Sequence, residues 1–509
     1  MARERSGQDA SKEQTPSNPM GAVSSTRVEF ETYDAALEYL FGLTNFERVR
    51  PTQASHEFKL TRTQAILEAL GEPHRTFRSI HVAGSKGKGS VCEMTAATLI
   101  GGGLTVGLYT SPHLIDIRER FRINHTPIDA ETLRHLTERV ARVCKALEKE
   151  HGPPTYFEVV TAVAFLYFQE QAVDIAVIET GLGGRLDCTN VIRPEVSIIT
   201  ALQLEHTALL GTTLDQIARE KAGIIKQGVP VVTCPQAPEA MAVLQETATR
   251  CGSTLHVVGE TLEFNYSFQH SAHHGRRYQV VLNTTGKAYD HIPVPLDGEH
   301  QAWNCGMVLA TLNVLAQKGL SIPDDRLIDG LMSTPRHGRL ERVCDSPPIY
   351  VDGAHNPESI EATVRALGTH ASADTLVAIF GCASDKDAGG MLKNLGLGAD
   401  KIILTRSAHN PRASDPKDLA KKLQELGGRS AQIAPTVREA LALATKAITK
   451  NDVILVTGSF YVAGEAKQIV LEQRAKAEAE RRPPENPNII AETKPGATNP
   501  SERPPKRTA

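Results

Sequence analysis

An α/β fold in two domains, each built on a mainly parallel sheet, is what this sequence predicts. Short runs rich in β-branched residues alternate with stretches of helical periodicity, the pattern of strands joined through covering helices. The chain has 509 residues, more than one hydrophobic core supports. A cluster of turn residues, Ser333-Thr334-Pro335-Arg336-His337-Gly338, divides two sets of candidate strands.

Residues 1–27 are polar and aperiodic. They hold too little apolar surface to offset ordering entropy, so a disordered tail is expected there. Residues 28–333 are assigned to the larger domain. Its expected strands are Ser79–Ala83, Val106–Tyr109, Asp174–Glu179, Val196–Thr200 and Val229–Thr233. Helical periodicity marks Asp34–Leu43, Gln64–Leu70 and Val91–Ile100. Around 253–296 the texture changes to short strand-like pieces, TLHVVG and RRYQVVLN, which suggest a small β appendage. Residues 334–471 are assigned to a smaller, doubly wound α/β domain with strands at Ile349–Val351, Thr375–Phe380, Lys401–Thr405 and Asp452–Val456. From 472 to 509 the polar, proline-punctuated character returns, and a second disordered tail is expected. Two such domains meeting in a cleft suit an enzyme that closes on two substrates.

Composition removes several classes of function. With 40% hydrophobic and 23% charged residues the chain reads as soluble and globular. Its 56 basic against 59 acidic residues leave no basic excess for a nucleic-acid surface. Eight scattered cysteines form no CxxC pair, which argues against a disulfide scaffold or zinc site and for a reducing compartment. No apolar run approaches the roughly 20 residues that span a bilayer. The first residues also lack the apolar core of a secretory signal, so a cytoplasmic enzyme is expected.

The most informative segment is Gly84-Ser85-Lys86-Gly87-Lys88-Gly89-Ser90, between an expected buried strand and an expected helix. Strand, glycine loop, helix is the context in which such a loop cradles phosphate. Glycines let backbone N–H groups crowd around phosphate oxygens, the helix N-terminus adds partial positive charge, and Lys88 would reach the β- and γ-phosphates. The loop departs from GxxxxGK[ST], which would need Gly at Val82 and Ser or Thr at Gly89. Taken alone it indicates a nucleotide phosphate without naming a reaction, and an ordinary flexible turn is the alternative.

Further motifs follow in order: Thr110-Ser111-Pro112-His113-Leu114, Glu179-Thr180-Gly181-Leu182-Gly183-Gly184-Arg185-Leu186-Asp187, and Glu220-Lys221-Ala222-Gly223. Later come Gly298-Glu299-His300-Gln301 with Asn304, Gly338-Arg339-Leu340-Glu341, Asp352-Gly353-Ala354-His355-Asn356-Pro357, Asp385-Lys386-Asp387 and Thr457-Gly458-Ser459-Phe460-Tyr461. Together with the shortened phosphate loop, this set resembles the Mur ligase superfamily, specifically its folylpolyglutamate and dihydrofolate synthases. The resemblance spans roughly residues 30 to 470. It implies a P-loop-type Mur ligase central domain and a C-terminal ligase domain on the glutamate side of the cleft.

The resemblance also implies roles. ATP is bound through Gly87, Lys88, Gly89 and Ser90, with Asn304, Arg339 and Asp352 contacting the nucleotide. Ser111, Glu179 and His206 hold Mg²⁺, and a monovalent cation is allowed. Read from the residues alone, Ser111 and His206 follow expected strands and Glu179 ends one, all at the carboxyl edge where α/β ligands bind. A capping Ser, a surface Glu and a loop His would fit the same positions. Lys221 is carbamylated in the family; Asp352 lies near the ribose and His355 near the reacting phosphate. The folate side falls on Thr155-Tyr156-Phe157-Glu158 and on Leu186-Asp187-Cys188-Thr189-Asn190, where an aromatic ring could stack on the pterin. Core packing is the competing reading for Tyr156 and Phe157.

Implied substrates are L-glutamate and a reduced folate or dihydropteroate, joined through an acyl phosphate with release of ADP and phosphate. A monomer is the family default, with no nucleic-acid or membrane partner. A ligase acting on cell-wall precursors and a non-catalytic nucleotide-binding regulator are the rival readings. Three departures from the family pattern stand out: Lys86 in place of Asn, Glu205-His206 in place of Asp-His, and Arg336-His337 in place of Trp-Pro.

Overall fold

The computed structural model describes residues 28–46 and 60–481, except 272, 372, 429 and 450. The expected N-terminal tail, 1–27, and residues 482–509 of the expected C-terminal tail lie outside the described residues. In chain order the strands are β1 (Arg78–Ala83), β2 (Val106–Tyr109), β3 (Phe121–Ile123), β4 (Thr126–Pro127), β5 (Ile175–Glu179) and β6 (Val196–Ile199). There follow β7 (Val231–Thr233), β8 (Leu255–Val257), β9 (Glu263–Ser271), β10 (Gly275–Thr284) and β11 (Lys287–Pro293). The last six are β12 (Glu341–Asp345), β13 (Pro348–Val351), β14 (Leu376–Phe380), β15 (Lys401–Leu404), β16 (Gln432–Ile433) and β17 (Val453–Thr457).

The first sheet has the order β4-β3-β2-β5-β1-β6-β7-β8, parallel except for β3 and β4. Its central strands are buried on both faces, which is why they read as continuous apolar runs rather than alternating ones. In β5, Ile175 and Val177 enter the core beneath helices Lys88–Gly101 and Glu299–Gln317, while Ala176 and Ile178 enter the core under helix Tyr156–Glu170. The second sheet, β12-β13-β17-β14-β15-β16, repeats the plan with only β12 antiparallel. Ile349, Val377 and Ile454 pack on one face, and Ala378, Phe380 and Leu455 on the other. In both sheets the carboxyl ends of the parallel strands feed the loops that carry the motifs.

Two expectations are corrected. The segment TLHVVG does not belong to the β appendage: β8 pairs in parallel with β7, Val231 opposite Leu255, and closes the edge of the first sheet. The antiparallel appendage is β11-β10-β9 alone, held to helix Glu299–Gln317 by Phe264 against Trp303, ring centroids 4.8 Å apart. A short apolar strand reads alike in either sheet, so only long-range pairing decides. Second, residues 472–481 are not part of a disordered tail but the last turns of helix Phe460–Arg481. Their Ala, Glu, Lys and Arg content suits an exposed helix as well as it suits a solvated tail.

Between the sheets, helix Asp324–Met332 lies on helix Lys88–Gly101, where a side chain on Gly101 would run into the Gly330 backbone. The connection Ser333–Leu340 then carries the chain into β12.

Candidate active site

The loop after β1 is shaped by close approach. Gly84 (φ +150°) and Gly87 (φ +89°) occupy backbone conformations that favour glycine. A Cβ on Gly84 would strike the Thr200 hydroxyl, and one on Gly87 the Asn304 side-chain oxygen. The N–H groups of Ser85 and Lys86 both donate to Ala201 O at 3.0 Å, tying the loop to the segment after β6. Gly87 caps helix Lys88–Gly101 with no side-chain hydrogen bond, so the first-turn donors keep their capacity for an anion. Asn304 Nδ2 donates to Gln301 Oε1 at 2.9 Å and Gln301 Nε2 donates to Ser90 Oγ at 3.3 Å, fixing the loop from the opposite helix.

Lysines converge beneath it. Lys88 Nζ and Lys221 Nζ each donate to Gly84 O at 2.8 Å, and Lys221 also pairs with Glu205 Oε1 at 2.7 Å. Lys221 is buried, and loss of hydration, with Lys88 nearby, lowers its amine to about 8 although Glu205 opposes the shift. Burial resists ionisation of Glu205, but Lys221 and Lys88 outweigh it and hold the carboxyl down at about 2.

At the same sheet edge the Ser111 N–H donates to Glu179 Oε2 at 3.1 Å. Glu179 is buried and its carboxyl is raised by desolvation, against the pull of Lys88, the Ser111 N–H and Arg339. His206 is exposed, in left-handed backbone (φ +45°), close enough to feel Lys88, Lys221 and Lys386. Among the described residues it makes no hydrogen bond with Ser111 or Glu179. No group of three or more His, Cys, Asp or Glu capable of holding a metal occurs among the described residues. A buried carboxylate beside a hydroxyl still fits Mg²⁺, which prefers oxygen and retains several waters.

The second domain reaches this edge through the connection. Arg339 extends so far over the phosphate loop that a Cβ on Gly89 would collide with its guanidinium, while its Nη1 donates to His337 O at 3.1 Å. Ser111, Glu179, Arg339 and Phe460 line one small cavity between the domains. Pro112, Leu114 and Phe460 continue it into a larger cavity bordered by Phe41, His113 and Tyr156. His355, half-buried, sets Nδ1 2.9 Å from Gly353 O. Burial and the charge of Lys86 push its imidazole down to about 3, so the ring is neutral. Asp352 directs both oxygens inward, accepting from Leu340 N (2.8 Å), Ala354 N (2.9 Å) and Thr363 Oγ1 (3.0 Å). It organises the turn that presents His355 and Arg339.

The folate-side residues divide. Thr155 and Glu158 form a reciprocal cap on helix Tyr156–Glu170, and Glu158 also holds Arg62 at 2.8 Å. Asp187 accepts from Leu182 N at 2.8 Å and Thr189 N at 3.0 Å, closing its own loop. Tyr156 is buried against Phe41 and beneath the Arg120 guanidinium. Phe157, Leu186 and Cys188 remain half-buried, with the Phe157 ring packed over Gly181.

Sequence reasoning missed the Glu205–Lys221 pair and a clamp linking the phosphate helix to the connection. In that clamp Glu93 on helix Lys88–Gly101 pairs with Arg122 of β3, and Arg122 Nη1 lies 2.9 Å from His337 Nε2. Arg336 pairs with Asp297, so both residues of the unusual Arg-His pair have partners. Glu205, the longer carboxylate, is what reaches Lys221.

An uncapped phosphate loop facing a second α/β domain, with an arginine from the connection laid across it, is the architecture of a Mur ligase. The Mur ligase middle domain matches residues 82–312, and the Mur ligase glutamate ligase domain matches residues 338–460. The dihydrofolate synthase/folylpolyglutamate synthase of Bacillus subtilis is 34% identical over 443 residues, covering 86% of this chain and 99% of that protein. The folylpolyglutamate synthase of Lacticaseibacillus casei is 35% identical over 415 residues, covering 81% and 94%. Among solved structures, Mycobacterium tuberculosis folylpolyglutamate synthase complexed with ADP and AMPPCP superposes with a TM-score of 0.77 at 32% identity, covering 86% and 99%. E. coli FolC in complex with DHPP and ADP gives 0.74 at 27% identity, covering 87% and 99%. The chain belongs to the folylpolyglutamate synthase/dihydrofolate synthase family of Mur ligases, and is an ATP-using carbon–nitrogen ligase.

Proposed function

We propose that this chain joins L-glutamate to a folate-type carboxylate through an acyl phosphate, releasing ADP and phosphate. One observation carries the reading: Arg339, from the connection to the glutamate ligase domain, lies over Gly89 of the phosphate loop beside Glu179. A carboxylate expels oxide too poorly to react directly with an amine. Its attack on the γ-phosphate of ATP makes a mixed anhydride; glutamate nitrogen then attacks the carbonyl, and phosphate leaves. The protein's task is to position the reactants and neutralise charge on the moving phosphoryl group.

Lys88 and the uncapped N–H groups of its helix hold the β- and γ-phosphates, with Asn304 bracing the loop. Arg339 meets phosphate oxygens through its planar fork, which a lysine could not copy. Ser111 and Glu179, with His206, would hold Mg²⁺, which when bound offsets phosphate charge. Lys221 forms a carbamate with CO₂, amine nitrogen bonding carbon with loss of a proton. Its amine, lowered by burial to about 8, gives up its proton more readily than an ordinary lysine. The carbamate would stand beside Glu205 as a second anion and favour a cation between them. Neutral His355 contributes from the second domain, placed by Asp352. Phe157 and Leu186, still partly open, are the surfaces for a pterin ring, and the joined cavities, lined by Tyr156, Pro112 and Phe460, lead to Glu179 and Arg339. All eight cysteines are free, which suits a reducing cytoplasm. A monomer acting on small molecules completes the reading.

The test is ADP release with dihydropteroate and tetrahydrofolate offered in parallel, each with and without glutamate. Release of ADP and phosphate that needs both glutamate and the folate is expected, and the preferred acceptor assigns first addition or chain extension. AMP and pyrophosphate would refute the route. Electron density ending at a bare Lys221 amine, with metal bound, would refute the carbamate.

A further inference from the structure

Among the described residues one hydrogen bond holds the Arg339 guanidinium in place over Gly89: its Nη1 donates to His337 O at 3.1 Å. His337 stands in left-handed backbone (φ +32°), which is uncommon for a residue with a β-carbon. Proline, with φ fixed at about −65°, could not take that conformation. The Arg336-His337 pair therefore gives the connection a path that Trp-Pro at these positions would not.

The backbone of the turn is pinned from the second domain. Gly353 N donates to Gly338 O, Leu340 N to Asp352 Oδ2 and Gly338 N to Glu341 Oε2, each at 2.8 Å. The first domain grips the same turn through side chains: Arg336 pairs with Asp297, and His337 Nε2 lies 2.9 Å from Arg122 Nη1. A guanidinium only donates, so Nε2 accepts and the imidazole is neutral, with its proton on Nδ1. Arg122 is a fixed donor. It is buried, its Nη1 also reaches Glu93 Oε2 at 3.2 Å, and its Nη2 bonds Glu93 and, at 3.2 Å, Thr110 Oγ1. Glu93 already meets its charge, so the bond to His337 is not needed to neutralise it. Arg122, His337 and Arg339 line one small cavity with Ser111 and Glu179.

We infer that His337 is a positioning residue for the ligase reaction: its ring, held by Arg122, fixes the carbonyl on which the Arg339 guanidinium rests, and so sets Arg339 across the phosphate loop. Uncommon backbone conformations persist where the surroundings over-determine them, and here a buried ion pair does so. Arg339 is thereby placed only when the connection is seated against β3 of the first domain. The inference rests on Arg339 as a nucleotide contact. It adds a residue that the family resemblance does not supply, since proline at 337 would offer no ring acceptor.

Calorimetric titration of the full chain with Mg²⁺-AMPPCP tests this through a double-mutant cycle. His337→Ala is expected to weaken AMPPCP about fivefold, a size usual for residues coupled by contact. His337→Gln, whose amide oxygen reaches the place of Nε2, should stay within about twofold of the unaltered chain. In an Arg339→Ala background His337→Ala should cost less than about twofold more, because the group it positions is gone. Equal weakening by His337→Ala with and without Arg339 would make the role merely structural and overturn the inference. No weakening by His337→Ala, or no rescue by His337→Gln, would overturn it as well. Unchanged affinity in Arg339→Ala alone would instead remove Arg339 as a nucleotide contact, and the inference with it.

Discussion

The loops that follow β1 and β13 occupy equivalent places in two similar sheets, yet they treat their helix N-termini in opposite ways. After β1, helix Lys88–Gly101 starts from Gly87 with no side-chain cap. After β13, helix Pro357–His370 starts from Asn356, whose side chain takes the Ser359 N–H at 2.9 Å while Ser359 returns to the Asn356 backbone. The turn before it is filled by Asp352, which accepts from two backbone N–H groups and the Thr363 hydroxyl. One loop keeps its donors for an anion brought from outside; the other carries its own. Strand, loop and helix are therefore not enough to make a phosphate site. The missing cap and the approach of cations set apart the loop proposed to bind phosphate.

Breaking the open loop should have the largest effect. Lys88→Ala removes the cation proposed to face the developing phosphoryl charge, and a loss of roughly 10³-fold in kcat for ADP release is expected. Circular dichroism should show the fold retained, since among the described residues Lys88 hydrogen-bonds only Gly84 O. Activity within tenfold of normal would mean that the uncapped loop is not the phosphate site.

The open loop needs anchoring elsewhere, and the Glu93–Arg122 clamp beyond its first turn supplies it. Glu93→Gln leaves a buried guanidinium without its counter-ion, so a loss of about 3 kcal/mol in denaturant unfolding is expected. Burial opposes ionisation of Glu93, yet Arg122 and His337 hold its carboxyl below the ordinary 4.5. A depressed carboxylate contributes stability above its unfolded value and loses it as pH falls through the folded one. Melting of the unaltered chain should therefore drop more steeply below about pH 4.5 than melting of the variant. Parallel curves would show that the clamp contributes nothing through charge.

The closed turn should be the more modest target. Asp352→Asn keeps one acceptor but gives the turn an NH₂ where an oxygen took backbone donors, and a loss of about 2 kcal/mol is expected. The KM for ATP should rise with it, because Arg339 and His355 are presented by this turn. A stable variant with unchanged KM would show that Asp352 neither builds the turn nor serves the nucleotide.

What could be read from sequence follows the same division. The strands stood out because burial on both faces makes runs such as 175–178 continuously apolar, and the open loop stood out because its glycines and lysines cluster within seven residues. Ser111 and Glu179 were legible from their places at strand ends. The partners were not. Lys221 meets Gly84 across 137 residues, and Arg122 meets His337 across 215, separations over which no local pattern operates. Thr155, Glu158 and Asp187 show the converse limit. Their spacing marks a loop or cap, but whether the polar atoms serve a ligand or the backbone is decided by the hydrogen bonds they make.

The smallest expected effect tests the comparison most directly. Asn356→Ala removes the second loop's cap and leaves its helix N-terminus as bare as that of Lys88–Gly101. Loss of the cap should lower stability by about 1 kcal/mol, read from the denaturant midpoint at unchanged m. If a missing cap alone made a phosphate site, added sulfate would restore this variant's stability by binding the freed N–H groups. We expect it not to, because Asp352 and Glu358 lie at that end and repel an anion, whereas Lys86, Lys88 and Arg339 surround the first loop. Sulfate-dependent recovery in Asn356→Ala, absent from the unaltered chain, would mean that the cap rather than the surrounding charge separates the two loops.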